Sequence, residues 1–149
     1  MEKIKEAKKR KIDIPSELAD GRSRVGIYKF LRIKDNDTYC FYVGKSTDIV
    51  YRLLGSSGGH VYMYLNNNLK KLVPIKISEY IKNGYAIRVE ITEVNYEDTS
   101  FSKAAHRLAL AELQEIVKYQ EMGQCEFQLP EGVGEQEEKF WEDNYKKSM

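Results

Sequence analysis

The strongest constraint on the fold is a pair of short, strand-like segments separated by a turn-forming run. The first segment, residues 25–33, reads Val-Gly-Ile-Tyr-Lys-Phe-Leu-Arg-Ile, and the second, residues 39–43, reads Tyr-Cys-Phe-Tyr-Val. Residues 35–38 between them are Asp-Asn-Asp-Thr, which are typical of tight turns. Two runs of β-branched and aromatic residues joined in this way predict a β-hairpin.

Helical patterns dominate the rest of the chain. A third strand is predicted over residues 85–95, where apolar and polar residues alternate. The strongest helix signal covers residues 102–119, which are rich in Ala, Leu, Glu and Gln. Residues 2–20 are predicted to form one basic helix followed by a short turn that starts at Pro15. Further helices are predicted from a cap at Ser46 or Thr47 to Leu54, and over residues 60–71, 74–83 and 136–147. These elements predict an α+β fold in which helices flank a three-stranded, largely antiparallel sheet, with extra helices at both termini.

Length and composition restrict the class of protein. A chain of 149 residues, 42% of them hydrophobic, can form a sizeable core, so residues 1–149 are predicted to be one domain. No apolar run approaches the roughly 18 residues that cross a bilayer, and no signal peptide is evident, which predicts a cytoplasmic protein without membrane association. Cys40 and Cys125 lack the spacing of a disulfide framework or a zinc site.

The net charge of +1 conceals two halves of opposite sign. Residues 1–84 contain 17 Lys and Arg against 9 Asp and Glu, whereas residues 85–149 contain 7 against 14. Such a distribution suits a cationic surface that binds a polyanion, but the acidic half could equally fold over the basic half and neutralise it. The basic run Lys8–Lys11 likewise fits either a contact surface or an ordinary solvated helix face.

The sequence supports neither of two glycine-rich nucleotide-binding motifs. Residues 44–47, Gly-Lys-Ser-Thr, match the end of a phosphate-binding loop, but that loop needs a glycine five positions before its Gly-Lys pair. Residue 39 is Tyr within a predicted strand, so the backbone cannot wrap a phosphate there. No G-x-G-x-x-G follows a strand, and a dinucleotide site is not predicted either.

A different set of residues converges on one place. In an antiparallel hairpin Tyr28 and Tyr42 can face one surface, Lys45 follows the second strand, and Arg52 lies on the next helix. Two phenols, an ammonium and a guanidinium would then surround a space suited to a phosphate. A strand tyrosine is more commonly a half-buried core residue, so the prediction depends on the whole pattern.

In these residues the chain resembles the GIY-YIG nucleases. The resemblance lies in Gly-Ile-Tyr at 26–28, Tyr-Val-Gly at 42–44 and an arginine ten residues past the second tyrosine, Arg52, with the order of elements over residues 24–120. It implies a GIY-YIG-like fold and a stand-alone, restriction-type or phage-type endonuclease. Such an enzyme would hydrolyse DNA phosphodiester bonds with the help of Mg²⁺ or Mn²⁺.

The resemblance also implies roles for individual residues. Tyr28 would accept a proton from the attacking water and Tyr42 would assist it. Arg52 and Lys45 would neutralise charge on the phosphate, and Lys45 could lower the pKa of a neighbouring phenol. A glutamate on the helix after the third strand would hold the metal ion. Glu112 is the leading candidate, and the alternatives are Glu115 and Glu138.

Three positions depart from the family pattern. Many members have a His or Tyr four residues after the arginine, where this chain has Ser56. His60, beyond the glycine-rich residues 55–59, could replace it as a general acid–base group and contact the nucleic acid, although a capping or surface role is equally open. The Pro and Asn that often follow the glutamate helix are not evident, and Asn144 is the only downstream candidate.

Three hypotheses on function follow. The first is the metal-dependent DNA endonuclease, which would act most simply as a homodimer when it cuts both strands. The second is a catalytically silent nucleic-acid-binding module of the same fold. The third is a partner-binding protein that docks through the acidic helix 136–147. No separate DNA-reading domain is evident, so recognition would come from the N-terminal basic segment, residues 55–59, residues 66–68 or a second subunit.

Overall fold

The computed structural model describes residues 2–147 of the chain. It begins with α1 (Glu2–Lys9), β1 (Ile12–Asp13), a 3-10 helix (Ser16–Asp20), β2 (Gly26–Lys34) and β3 (Asp37–Ser46). Two short helices, α2 (Ile49–Leu54) and α3 (His60–Leu65), precede α4 (Leu72–Lys82), β4 (Ala86–Glu93), α5 (Phe101–Glu121) and α6 (Glu135–Asn144). The predicted hairpin, the strand that follows it, the long helix and the terminal helix are confirmed.

The sheet has four strands in the order β1-β4-β2-β3. The pairs β2–β3 and β2–β4 are antiparallel, whereas β1 pairs with β4 in parallel. The α+β class is therefore confirmed, but the prediction of a three-stranded, largely antiparallel sheet is wrong. The sequence does not predict the additional strand, β1, because β1 is only two residues long and follows a basic segment with helical propensity.

The N-terminal helix is much shorter than predicted. It ends at Lys9, and Lys11 has a left-handed backbone with φ of 68°, which cannot continue a helix. The carbonyl of Lys11 accepts a hydrogen bond from the Ile87 N–H at 2.8 Å, and Ile12 pairs with Ile87. The helix ends here because the next apolar side chains, Ile12 and Ile14, are buried in the core, and the backbone that carries Ile12 is extended and pairs with β4.

Two other helix boundaries also differ from the prediction. The cap of α2 is Asp48, whose carboxylate accepts the Tyr51 N–H at 3.1 Å, and not Ser46 or Thr47. The helix predicted over residues 60–71 stops at Leu65, because Asn66–Asn68 form hydrogen-bonded turns back to α3.

The sheet separates two apolar clusters. Tyr28 and Phe30 point to one face, where they pack against residues of α1 to α4. On the other face, Leu31 and Val43 pack against Ile116 of α5. α5 begins at a Ser100 cap that accepts the Lys103 N–H, and its buried residues follow helical spacing: Ala104, Leu108, Ile116 and Tyr119.

The free edge of β3 is covered by residues 124–131, which we call the edge segment. The Val43 N–H donates to the side-chain oxygen of Gln128 at 3.0 Å, and the Gln128 amide donates back to the Val43 carbonyl. The Cys40 N–H donates to the Gln124 side chain at 2.6 Å, and the Cys125 N–H donates to the Cys40 carbonyl at 3.0 Å. Side-chain amides thus take the place of a fifth strand, which satisfies an otherwise open sheet edge.

We expect Gln128→Ala to lower the free energy of unfolding by about 1–3 kcal/mol, because it leaves both backbone groups of buried Val43 without partners. Urea denaturation at pH 7 measures the change. Gln114→Ala, at an exposed position of α5, is the matched control and should change stability by less than about 0.5 kcal/mol. Equal stability of the two variants would show that the amide pairing contributes nothing.

The terminal helix α6 stands apart from both clusters. It has no buried residue, and Phe140, Trp141 and Tyr145 next to its end are exposed. Within residues 2–147, no helix combines the length and apolarity needed to span a bilayer.

Candidate active site beside the β2–β3 hairpin

The hairpin register places Tyr28 directly across from Gly44. A Cβ atom at residue 44 would lie 2.4 Å from both the Cζ and the hydroxyl oxygen of Tyr28, so only glycine lets the phenol ring cross β3. The glycine that superficially suggested a nucleotide loop therefore makes room for a tyrosine. Tyr28 is 1% exposed and is among the most deeply buried side chains of the core.

The Tyr28 hydroxyl is the centre of a polar cluster. It lies 2.9 Å from Nε2 of His60, and Nε of Arg52 donates to it at 3.3 Å. The Tyr42 ring lies 6.3 Å from the Tyr28 ring and 5.5 Å from the His60 ring, measured between centroids. Four residues predicted from the sequence are thus brought together: Tyr28, Tyr42, Arg52 and His60.

The helices that follow the hairpin position Arg52 and His60. Arg52 lies in the last turn of α2, whose direction is fixed by the Asp48 cap. His60 is the first residue of α3, and Gly59 before it donates its N–H to the Gly55 carbonyl at 2.9 Å. Residues 55–59 therefore form a compact turn that returns the chain to the hairpin, and the imidazole is buried beside the phenol.

Burial sets the protonation states in this cluster. It raises the pKa of Tyr28 well above the ordinary value, and it raises the pKa of Tyr42 as well. Burial, reinforced by the positive charges of Arg52 and Lys71, lowers the pKa of His60 to about 4. At neutral pH both phenols and the imidazole are uncharged. Lys45 does act to lower the pKa of Tyr42, as expected, but the rise caused by burial is larger.

A tautomer with the proton on Nδ1 of His60 completes the hydrogen bonding. Arg52 donates to the Tyr28 oxygen, and the Tyr28 hydroxyl can then donate its own proton to Nε2 of His60. The result is a short chain of hydrogen bonds that can pass a proton from the phenol to the imidazole.

Lys45 and Glu112 form a second group on the other side of Tyr42. The Lys45 ammonium lies 3.7 Å from a carboxylate oxygen of Glu112 and 2.5 Å from one of Glu131. The Glu112 carboxyl is largely shielded from solvent, and burial raises its pKa while Lys45 opposes the rise. Tyr42, Lys45, Glu112 and Glu131 all line one cavity of about 360 Å³.

The other glutamate candidates lie elsewhere. Glu115 points to a different cation, Lys29, at 3.9 Å and also pairs with Lys118 at 3.4 Å. Glu138 is exposed on α6. Asn144 donates its side-chain amide to the Phe140 carbonyl of its own helix.

A second cavity opens beside the polar cluster. It has a volume of about 250 Å³ and is lined by Arg52, Ser56, His60, Tyr62 and Lys71 among others. Tyr28 does not line it, since its hydroxyl lies behind Arg52 and His60. Sequence reasoning missed Lys71 here, because it falls at the end of a predicted helix, and Glu131 in the other cavity, because it lies in a segment without a periodic pattern.

Comparison of the chain with protein-family models, with curated proteins and with solved structures gives no match. Within residues 2–147, no cluster of three or more His, Cys, Asp and Glu side chains could hold a metal ion by itself. A cation at Glu112 would need most of its ligands from water and from substrate. Mg²⁺ commonly binds in that way, through one or two carboxylates and the oxygens of a phosphate.

Proposed function

We propose that the protein is a GIY-YIG-type endonuclease that hydrolyses DNA phosphodiester bonds with a divalent metal ion. One observation carries the proposal: the Tyr28 hydroxyl lies within hydrogen-bond distance of both Arg52 and His60, beside an open cavity. A phenol buried in an ordinary core usually has a hydrogen-bond partner for its hydroxyl. Here it is held by a fixed cation and a neutral base, which suits proton transfer next to a phosphate.

The neutral cluster removes a proton without forming a phenolate. In this proposal Arg52 turns toward a bound phosphate and uncovers the Tyr28 oxygen behind it. The attacking water then passes its proton to that oxygen while the phenol proton moves to Nε2 of His60. Tyr28 begins and ends neutral, so its raised pKa is no obstacle. The positive charge gained by His60 is balanced by the negative charge that develops on the phosphate.

Arg52 and Lys45 supply positive charge at the scissile phosphate. The guanidinium lines the 250 Å³ cavity and offers planar donors that match two phosphate oxygens. Lys45 is occupied by Glu112 and Glu131, and an incoming phosphate would displace the exposed Glu131 carboxylate first. Because Arg52 and Lys45 line separate cavities on either side of Tyr42, the proposal places the scissile phosphate over Tyr42, between the two cations.

Glu112 is the shielded carboxylate that lines the cavity with Tyr42 and Lys45, and its surroundings fit a magnesium site completed by substrate. When bound, the ion would polarise the phosphate and stabilise the departing oxygen. Lys45 is a competitor for the same carboxylate, so occupation of this site requires the phosphate to draw Lys45 away.

Cleavage of supercoiled plasmid DNA tests the proposal. We expect the purified protein to nick or linearise the plasmid in Mg²⁺ or Mn²⁺ and to leave it intact in EDTA. We expect Glu112→Gln to slow cleavage about a hundredfold or more, because a metal ion supplies several kcal/mol of transition-state stabilisation. Glu115→Gln, one turn along α5, is the matched control.

The outcomes separate the candidates. Equal loss in Glu112→Gln and Glu115→Gln would overturn the assignment of the metal ligand. DNA binding without cleavage in either metal would favour the catalytically silent binding module instead. Absence of both binding and cleavage would leave the third hypothesis, a protein that binds a partner through α6, whose exposed aromatic residues are compatible with docking.

A further inference from the structure

The N-terminal helix is fixed next to the candidate site by two cations. Lys3 donates to the Leu54 carbonyl at 2.8 Å, and its ammonium lies 4.7 Å from the Tyr62 ring centroid. Arg10, just beyond the end of α1, donates to the Leu65 carbonyl at 3.0 Å and stacks on Tyr64. Because α3 begins at His60, α1 lies alongside the helix that forms one wall of the 250 Å³ cavity.

The outer side of α1 carries lysines without acidic partners. Lys5, Lys8 and Lys9 are exposed, and none forms an ion pair with any residue in the part of the chain from 2 to 147. The acidic half of the chain therefore does not neutralise this surface, although it does engage Lys29 and Lys45.

Two further lysines, Lys70 and Lys71, lie at or next to the cavity. Lys70 and Lys71 are exposed and likewise have no ion pair within residues 2–147, and Lys71 lines the cavity with Arg52. A helix with its side chains is about 10–12 Å across, so the outer lysines of α1 lie roughly one helix diameter from α3. Duplex DNA carries one charge per about 1.7 Å of axis, so a few base pairs span that distance.

We propose that Lys5, Lys8 and Lys9 of α1, continued by Lys70 and Lys71, form a basic track that holds the phosphate backbone of duplex DNA entering the cavity at Arg52 and His60. This inference rests on the proposed function and deepens it, because it names the surface that binds the substrate outside the scissile bond. The contacts are to phosphates, so they supply affinity and position without reading sequence.

A membrane surface fits the same lysines less well. A helix that binds a bilayer inserts an apolar side between the lipids. In α1 the apolar side chains Ile4 and Ala7 pack inward against the core, so only charged side chains remain on the outside. The three exposed lysines outnumber the exposed Glu2 and Glu6, so the outer side has a net positive charge, which suits a polyanion in water.

The salt dependence of DNA binding tests the track. Fluorescence anisotropy with a labelled 30-base-pair duplex in EDTA gives the binding constant without cleavage. For the triple variant Lys5→Gln, Lys8→Gln and Lys9→Gln, we expect the slope of log K against log salt to become shallower by about 2–3, since each lost phosphate contact contributes about 0.9. All three positions are exposed, so the fold is retained.

The control triple variant is Lys82→Gln, Lys103→Gln and Lys146→Gln. It changes the net charge by the same amount at exposed positions on α4, on α5 and after α6, and its slope should match that of the wild type. Equal changes in both triple variants, or none in the α1 variant, would overturn the track while leaving the nuclease proposal intact.

Failure of the proposed nuclease function would give a different binding result from failure of the track. A wild-type protein that binds no duplex at low salt contradicts both proposals. Binding of wild type, lost in the α1 variant, to vesicles containing phosphatidylserine but not to DNA would assign the surface to a membrane and overturn the track.

Discussion

Replacing Arg52 with alanine is expected to slow DNA cleavage by about a thousandfold or more while the protein stays folded. The guanidinium donates to Tyr28 and lines the cavity, so its removal takes away both the charge at the phosphate and a partner of the relay. Losing a positioned donor costs about 10²–10³ in rate, and losing an arginine that stabilises a phosphoryl transition state costs about 10³–10⁵. Single-turnover cleavage of a labelled duplex measures the loss.

Two further variants sharpen this test. Arg22→Ala removes an arginine whose side chain is 74% exposed and bound only to Asp20, so cleavage should stay close to the wild-type rate. Arg52→Lys keeps the charge but loses the planar donors, and we expect it to recover only a small part of the activity. Wild-type activity in Arg52→Ala would remove the proposed mechanism outright.

Acid is expected to destabilise the wild-type protein more than a variant without the buried imidazole. In the unfolded chain His60 has its ordinary pKa of about 6.5, whereas folding lowers the pKa to about 4. Between these values the unfolded chain binds a proton that the folded protein excludes. Stability is therefore lost as the pH falls, and the loss from this group between pH 7 and pH 4 is about 3 kcal/mol.

Urea denaturation at the two pH values isolates this contribution. In His60→Gln the amide oxygen can still accept the Tyr28 hydroxyl, but nothing titrates, so the variant should lose about 3 kcal/mol less on acidification than the wild type does. His106→Gln alters an exposed histidine of α5 and should behave like the wild type. Equal acid sensitivity in wild type and His60→Gln would show that the imidazole is not held neutral in the folded protein.

The burial of His60 also affects the proposed activity. The relay needs a neutral His60 to receive a proton, and a pKa near 4 keeps it neutral through the physiological range. Arg52 and Lys71 contribute to this by making a further positive charge unfavourable until a phosphate enters the cavity. A bound phosphate would thus raise the proton affinity of His60 at the moment when the relay uses it.

Local sequence patterns were sufficient to predict those elements whose conformation depends on a short stretch of chain. The hairpin follows from two β-rich runs around Asp35–Asp37, and α5 follows from its Ala, Leu and Glu content and the Ser100 cap. The convergence of Tyr28, Tyr42 and Arg52 could also be predicted, because hairpin register and the length of one short helix fix their relative positions.

The N-terminal segment shows where such patterns fail. No glycine or proline interrupts the sequence before Pro15, yet the helix ends at Lys9. Ile12 and Ile14 are buried in the main cluster, and parallel pairing with β4 supplies hydrogen bonds across more than seventy residues of sequence. Tertiary burial outweighs a propensity difference that amounts to less than about 1 kcal/mol per residue.

Residue type and short-range spacing are sufficient to predict the α+β class, the hairpin and most of the groups around the candidate site. Three features emerge only from the packed chain: the phenols are neutral, His60 bonds to Tyr28, and Glu131 and Gln128 reach β3 from the edge segment. Protonation depends on burial, and burial is a property of the whole packed chain. Contacts between residues 85 positions apart leave no local pattern that could be read in advance.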